Sequence, residues 1–208
     1  MKTVEIKLFS FDELPEESKK NAIKQYETEW EYLDLVYEDI KYNLLPETGL
    51  TQIIFEYSYS FSQGDGCCFT GVFPHEMTME IIKEEDEDLF NHLSKDEYDF
   101  EIDAVIEKIN HRYCHERTVS VSADLSPHGK TVDAYLISRL EEKIENILYR
   151  WVESKCYDYY QLFDNEYYRI TEESFVIERL QEFDAIFLEN GNMASHDILR
   201  YQKEGVYA

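Results

Sequence analysis

The chain has little positive charge, glycine or proline. Its 20 Lys and Arg stand against 45 Asp and Glu, a formal net charge of -25, which excludes a nucleic-acid binder of the usual basic kind. Its 7 glycines and 4 prolines are too few for a long flexible linker. The 208 residues are therefore predicted to form a single compact acidic domain, 1–208.

Long hydrophobic runs are also lacking. No stretch approaches the roughly 18 apolar residues that cross a bilayer, and the start, MKTVEIKLFSF, holds no signal-peptide core. Cysteine is scarce, and adjacent Cys67 and Cys68 would point to opposite faces of a strand, which favours free thiols over disulfides. We therefore expect a cytoplasmic protein with no membrane partner.

Apolar residues nevertheless make up 43% of the chain and aromatic residues 15%, far more than a disordered acidic tail contains. Apolar spacings of three and four predict two consecutive helices, the first with Pro15 in its first turn and the second ending at Pro46, a helix over residues 102–113 and a long helix from Thr131 through Val152. Ser10 or Asp12 is the expected cap of the first helix, and residues 171–174 resemble the start of a further one.

Alternating apolar residues predict strands over residues 3–9, 51–61, 67–73 and 117–125, and a last strand followed by an Asn190–Gly191 turn. The second and third of these form a predicted β-hairpin. The expected fold class is α+β: a small antiparallel sheet with a β-hairpin, packed against amphipathic helices that include one long helix in the C-terminal half.

Three segments together resemble a family of small uncharacterised proteins from bacteriophages and prophages, sometimes labelled antitoxin-like. They are the FDEL helix start (Phe11–Leu14, with Lys20 and Ala22), the segment Tyr57–Gly71 with its SQGDG-x-x-F-x-G hairpin, and the turn from Phe187 to Gly191. The resemblance covers most of the chain and implies a phage-encoded protein. It supplies no catalytic residues.

The hairpin loop, Gln63, Gly64, Asp65 and Gly66, has the glycines of a phosphate-binding loop. No Lys or Arg follows as in a Walker loop, and Asp65 would repel phosphate, so a tight turn is the favoured interpretation. His111, Cys114 and His115, joined by Cys67, Cys68 or His75, could form a zinc site, but the spacing favours a helix C-terminus and no metal.

Two acidic segments are the predicted partner-binding surfaces. KEEDED (83–88) cannot be buried and should form a solvated loop or a helix start, while the second segment mixes carboxylates with tyrosines, which are favoured in interfaces. Tyrosines half-buried against the long helix are the alternative for the second segment. The predicted residues are Glu84, Glu85, Asp86, Glu87 and Asp88 of the first segment and Asp158, Tyr159, Tyr160, Asp164, Glu166 and Tyr167 of the second.

The negative charge is spread along the chain and is not confined to a tail. A compact domain of this length is about 43 Å across, and that length of duplex DNA carries about 25 phosphates. The leading hypothesis is therefore a phage-encoded, non-enzymatic inhibitor that mimics nucleic acid, needs no cofactor, and binds the basic surface of a host nucleic-acid-binding or defence protein without binding nucleic acid directly.

Two other functions stay open. An antitoxin-like or accessory protein would neutralise one specific partner through the tyrosine-rich face. A small metal-dependent hydrolase would use a site such as Glu56, Asp65 and His75.

Overall fold

The computed structural model describes residues 6–26, 31–60, 64–95, 100–110, 112–129 and 131–195. The chain divides into two compact units, a terminal unit (Met1–Tyr32 and Glu166–Ala208) and a sheet unit (Leu33–Asn165). Across the described residues, no helix has the length and apolar character that crossing a membrane requires.

The fold is α+β, as predicted. In chain order the elements are β1 (Phe9–Ser10), α1 (Glu16–Gln25), α2 (Glu31–Asp39), a π-helical turn (Ile40–Leu44), α3 (Leu45–Glu47), β2 (Thr51–Ser58), β3 (Gly66–Phe73), α4 (His75–Glu85), α5 (Glu87–Leu93), β4 (Phe100–Lys108), a 3-10 turn (Glu116–Thr118), β5 (Val119–Pro127), α6 (Ala134–Thr171), α7 (Glu173–Glu182) and β6 (Ile186–Phe187).

The sheet unit is built on an antiparallel sheet of order β2-β3-β4-β5. The predicted hairpin is confirmed, with Glu56 opposite Cys68 and Ser58 opposite Gly66. The register of β2 shifts between Thr51 and Ile54, where Gln52 adopts a φ of 53°. Every second residue of β4 and β5 is exposed over most of their length, so these two strands have one buried and one open face, whereas nearly every residue of β3 is buried.

Helix α6 covers the buried face. Its apolar residues recur at steps of three and four, because that spacing places them on one side of a helix. Trp151 packs edge-on against Phe69 and Phe73 of β3, while Phe163 stacks on Tyr57 of β2 with ring centroids 4.4 Å apart. The predicted long helix is thus confirmed, and it extends to Thr171.

In the terminal unit, β1 and β6 pair antiparallel, with Phe9 opposite Phe187. Gly191 adopts a φ of 83° in the turn after β6, and a Cβ there would lie 2.1 Å from the Ser18 carbonyl oxygen of α1. The predicted turn therefore requires glycine. The core of this unit comprises Phe11, Leu14, Ala22, Val176, Leu180 and Phe187.

The helix predicted over residues 102–113 is wrong, because Phe100–Lys108 form strand β4. Ile102, Val105, Ile106 and Ile109 fit a helical spacing, but Ile109 and its neighbour Asn110 are exposed beyond the strand. The buried positions follow a period of two, which is the period of a strand that is half covered; they are Phe100, Ile102, Ala104 and Ile106.

The start of the chain also differs from the prediction. Pro15 occupies the cap position of α1 and no side chain caps the helix, so neither Ser10 nor Asp12 acts as the cap. Ser10 instead donates through its backbone N and Oγ to the carboxylate of Glu13, at 2.8 and 2.9 Å. Of the strand predicted over 3–9, residues 3–5 lie outside the described residues, and the observed strand begins only at Phe9.

Candidate functional site

The open face of the sheet is acidic over β4 and β5. We define this acidic face by Glu101, Asp103 and Glu107 of β4 and Asp124 of β5, all of which are exposed. Ser120, Ser122 and Ser126 share the same side of β5. The structure describes every residue of β4 and β5, and no Lys or Arg of these two strands occupies a position on the open face.

Two of these carboxylates lie directly opposite each other, because the register pairs Asp103 with Asp124. Cβ atoms at such positions are about 4.5–5.5 Å apart, and like charges there destabilise a sheet. The neighbouring Glu101 contacts His128 Nε2 at 2.8 Å. The acidic face therefore carries a repulsion that a cationic group seated between the two aspartates would remove.

The outer edge of β5 is occupied by carboxylates of α6. Backbone N–H groups of Ala123 and Leu125 donate to Glu145 and Glu141, each at 3.1 Å. The two glutamates are four residues apart and so project from the same side of α6. They satisfy two donors that an edge strand would otherwise leave unpaired.

The predicted segment Glu84–Asp88 spans the junction between α4 and α5. Helix α4 was not predicted, but the expected helix start is present: Asp86 caps α5 by accepting from the backbone N of Leu89 at 2.9 Å. The hydrogen bond from Lys143 Nζ, at 2.5 Å, lowers the pKa of Asp86 below its ordinary value. Glu84, Glu85, Glu87 and Asp88 are exposed and form a second acidic surface.

Of the residues predicted for the tyrosine–carboxylate face, Tyr159 is buried, Asp158 is exposed and the others are half-buried. Tyr159 is 6% exposed and packs against Phe55 and Phe69, and burial raises the pKa of both Tyr159 and the half-buried Tyr160 to about 12. Tyr159 therefore belongs to the core and not to a partner-binding surface. These tyrosines belong to the long helix itself, and Tyr159 packs from that helix against the sheet.

The carboxylates of that segment serve mainly internal contacts. Asp164 accepts from the hydroxyl of Tyr59 at 2.9 Å, and Glu166 forms two hydrogen bonds with Arg169, at 2.7 and 2.8 Å. Tyr167 is half-buried, and Asp158 is the only exposed residue among those predicted in this segment.

The hairpin loop is closed by Asp65. Its carboxylate accepts from Ser58 Oγ at 3.0 Å and from the backbone N of Ser60 at 2.7 Å. Aspartate side chains commonly stabilise turns through such hydrogen bonds to nearby residues. Gln63 lies outside the described residues, and Gly64 packs beside Tyr113. At Gly66 a Cβ would lie 2.8 Å from the Cys114 carbonyl oxygen, so this glycine allows the segment after β4 to approach the hairpin.

Among the described residues, the structure assembles neither of the two residue sets that the sequence offered as metal ligands. His115 and His75 accept through Nδ1 from the backbone N of Arg117 and Ile102, each at 3.2 Å, and His111 lies outside the described residues. Cys67 donates to the Cys156 carbonyl oxygen at 2.9 Å on the buried face of the sheet. Cys67 therefore cannot share a metal with Cys68.

The structure instead brings together Glu56, Cys68 and Cys114, which we call the hairpin cluster. Lys108 donates to Glu56, and its Nζ lies 3.8 Å from Cys114 Sγ. Burial raises the pKa of Cys68 to about 12, which keeps this thiol protonated at neutral pH. Among the described residues this is the one group of three candidate ligands within 4.8 Å of one another, and Asp65 and His75 are not part of it.

A family model described as a domain of unknown function, DUF8835, matches residues 32–173. The matched range contains the acidic face, the hairpin cluster and the whole of α6. No curated protein and no solved structure matches the chain.

Proposed function

This chain belongs to the DUF8835 family of domains of unknown function, and we propose that it is a non-enzymatic binding protein whose carboxylates occupy the nucleic-acid surface of a basic partner. The observation that carries the proposal is the placement of Asp103 directly opposite Asp124 on an open, acidic sheet face. A surface that keeps two carboxylates in repulsion loses stability, and a bound cationic group recovers it.

The geometry of a sheet makes such a surface regular. Residues two apart on a strand are about 6.7 Å apart, and neighbouring strands are about 4.8 Å apart. Glu101 and Asp103 therefore form one row, with Asp124 in the next row beside them. Serines between the carboxylates add hydroxyl groups that can hydrogen-bond to Arg or Lys side chains of a partner.

The charge of the rest of the chain acts at longer range. A net charge of -25 attracts a basic partner and speeds its association at low ionic strength. The second acidic surface, Glu84, Glu85, Glu87 and Asp88, widens the area that such a partner can contact. On the sequence resemblance, the partner is a host nucleic-acid-binding or defence protein, and the inhibitor is phage-encoded and acts in the host cytoplasm.

Neutralisation of one partner through a tyrosine-rich face has less support. That function needs a continuous exposed aromatic patch, whereas Tyr159 is buried and Tyr160 and Tyr167 are half-buried, which leaves Tyr157 and Tyr168 as the exposed tyrosines of this segment. The carboxylates beside them, Asp164 and Glu166, already have partners within the chain.

A matched pair of variants tests the acidic face. The face variant combines Glu101→Gln, Asp103→Asn, Glu107→Gln and Asp124→Asn; the control combines Glu38→Gln, Glu47→Gln, Glu80→Gln and Glu142→Gln at exposed positions elsewhere. Both remove four negative charges. Titrated with a fluorescent oligo-arginine peptide, the face variant should bind about tenfold more weakly than the control. Equal affinity of the two variants would contradict the proposed surface.

Capture from a bacterial lysate then tests mimicry. The immobilised protein should retain nucleic-acid-binding proteins at about 50 mM salt and release them when duplex DNA or about 200 mM salt is added. The face variant should retain less of the same proteins than the control variant. Retention that neither DNA nor salt reverses would favour a dedicated neutralising interaction, and retention of no protein would refute the binding function.

A further inference from the structure

The hairpin cluster is built from three separate parts of the sheet unit. Glu56 of β2 and Cys68 of β3 are register partners, so their side chains stand side by side on the face of the sheet opposite to that of Cys67, where Cys68 is buried. Cys114 reaches them from the segment after β4, which lies against Gly66. One ligand atom from each side chain lies within 4.8 Å of the other two.

We propose that Cys68, Cys114 and Glu56 bind one thiophilic divalent cation, with Zn²⁺ as the best fit. Thiolate and carboxylate are the ligands that zinc takes in proteins, at about 2.3 Å from sulfur and 2.0–2.2 Å from oxygen. Donor atoms around one tetrahedral ion are then about 3.5–3.8 Å apart. The cluster therefore needs to contract by no more than about 1 Å, which side-chain rotations can provide.

Lys108 completes the charge balance of this site. Its side chain is only 9% exposed, and a lysine is rarely buried to this extent unless it has a partner. Here the partner is Glu56, to which Lys108 donates. When the ion binds, both thiols release their protons to solvent. Two thiolates and one carboxylate are then balanced by the ion and the Lys108 ammonium, so the net charge is zero both with and without the ion. The ammonium, 3.8 Å from Cys114 Sγ, can hydrogen-bond to that thiolate.

The site is open on one side. A cleft of about 350 Å³ reaches Glu56 and Cys114 between the rings of Tyr37, Phe55 and Tyr57, whereas Cys68 is 1% exposed. The cleft gives an ion a path to the ligands. It also leaves the fourth position of a tetrahedral ion to water or to a small ligand. Zinc sites with three protein ligands have this arrangement.

Cobalt substitution tests the site. The full chain is reduced, freed of metal with a chelator and titrated with Co²⁺ without oxygen. We expect one Co²⁺ per chain, with thiolate-to-cobalt charge transfer in the near ultraviolet and the visible bands of a tetrahedral ion, both abolished by Zn²⁺. The absence of charge transfer, or the spectrum of an octahedral ion with oxygen ligands, would overturn the proposal.

Three variants show which side chains hold the ion. Cys114→Ser should reduce the charge-transfer intensity by about half, because one of two thiolates is removed. Glu56→Gln keeps an oxygen that can accept the hydrogen bond from Lys108, and it should weaken Co²⁺ binding at least about tenfold with the charge transfer retained. Cys156→Ala removes a buried thiol outside the cluster and should leave the titration unchanged. An unchanged titration in Cys114→Ser would refute the assignment.

A disulfide between Cys68 and Cys114 is the competing outcome. Thiol counting in the protein purified in air, before and after reduction, measures it. Loss of two thiols in air, combined with no Co²⁺ binding after reduction, would replace the metal site with a redox pair. The metal site and the acidic face use different residues, so Cys114→Ser should bind the oligo-arginine peptide like the unmodified chain, and failure of either proposal leaves the other standing.

Discussion

Asp103 and Asp124 occupy directly opposite positions on β4 and β5, with both side chains on the open face of the sheet. Next to Asp103, Ala104 pairs with Ala123, and both alanines are buried on the covered side of the strands. The same register places Asp103 and Asp124 side by side on the exposed side. The proposed binding of a basic partner and the stability of the fold make opposite demands on these two residues.

Replacing Asp124 by Asn should stabilise the fold by about 0.3–1 kcal/mol, because it removes a like-charge pair at opposing positions. Urea unfolding followed by circular dichroism measures the change as a higher midpoint at an unchanged slope. The gain should shrink at about 1 M salt, where exposed charges are screened. Glu80→Gln, which removes an exposed charge from α4, is the control, and a destabilised Asp124→Asn would disprove the repulsion.

Replacing Glu141 and Glu145 by Ala should destabilise the fold by about 1 kcal/mol for each residue, because each accepts a hydrogen bond from the edge of β5. The control, Glu142→Ala, removes an exposed carboxylate from the next position of α6. Hydrogen exchange resolves the effect by residue: the amides of Ala123 and Leu125 should exchange faster in the double variant only. Unchanged protection of both amides would contradict this role.

Asp86→Asn should show a stability difference that depends on pH. The pKa of Asp86 is lowered below its ordinary value of 3.8, mainly by Lys143, so the charged form stabilises the fold above that value. This contribution is lost as the pH falls through the lowered pKa. The variant should therefore be less stable than the unmodified chain at pH 7, and the difference should be smaller at pH 3. Unfolding curves at both values test the sign, and a constant difference would refute the linkage.

Gly66→Ala should destabilise the fold by about 1–3 kcal/mol, because the new methyl group would lie 2.8 Å from the Cys114 carbonyl oxygen and from His115 Cβ. It should also weaken Co²⁺ binding, since Cys114 can no longer approach Cys68. A chemical-denaturation midpoint gives the first effect and the cobalt titration gives the second. Gly71→Ala is a useful comparison, because its Cβ would meet Thr51 O less closely, at 3.1 Å.

Sequence patterns predict the parts of this fold whose period is unambiguous. The apolar residues of α6 keep a helical period over many turns, and the β2–β3 hairpin combines strand-forming residues with a glycine-rich loop. Strand β4 was predicted as a helix because its apolar residues do not coincide with its buried residues. Val105 and Ile109 are apolar but lie outside the buried row, and Ala104 in that row is small. Only pairing with β3 and β5 determines which apolar residues are buried.

Both candidate sites depend on contacts that have no local motif. The sequence positions of Glu56, Cys68 and Cys114 are far apart, and only the hairpin register and the close approach at Gly66 bring them together. The pairing of Asp103 with Asp124 also requires the register of two strands, one of which was predicted as a helix. By contrast, the acidity of Glu84–Asp88 is visible in the sequence because those charges are consecutive.

The register shift in β2 affects how this protein behaves at high concentration. An outer strand with an unbroken row of free N–H and C=O groups is a template on which another chain can add a strand, and Ile54, 61% exposed, would favour that contact. The left-handed backbone at Gln52 interrupts the row. Glu141 and Glu145 accept hydrogen bonds from the opposite edge, so we expect neither edge of the sheet to add a further strand readily, even when salt screens the charge of the chain.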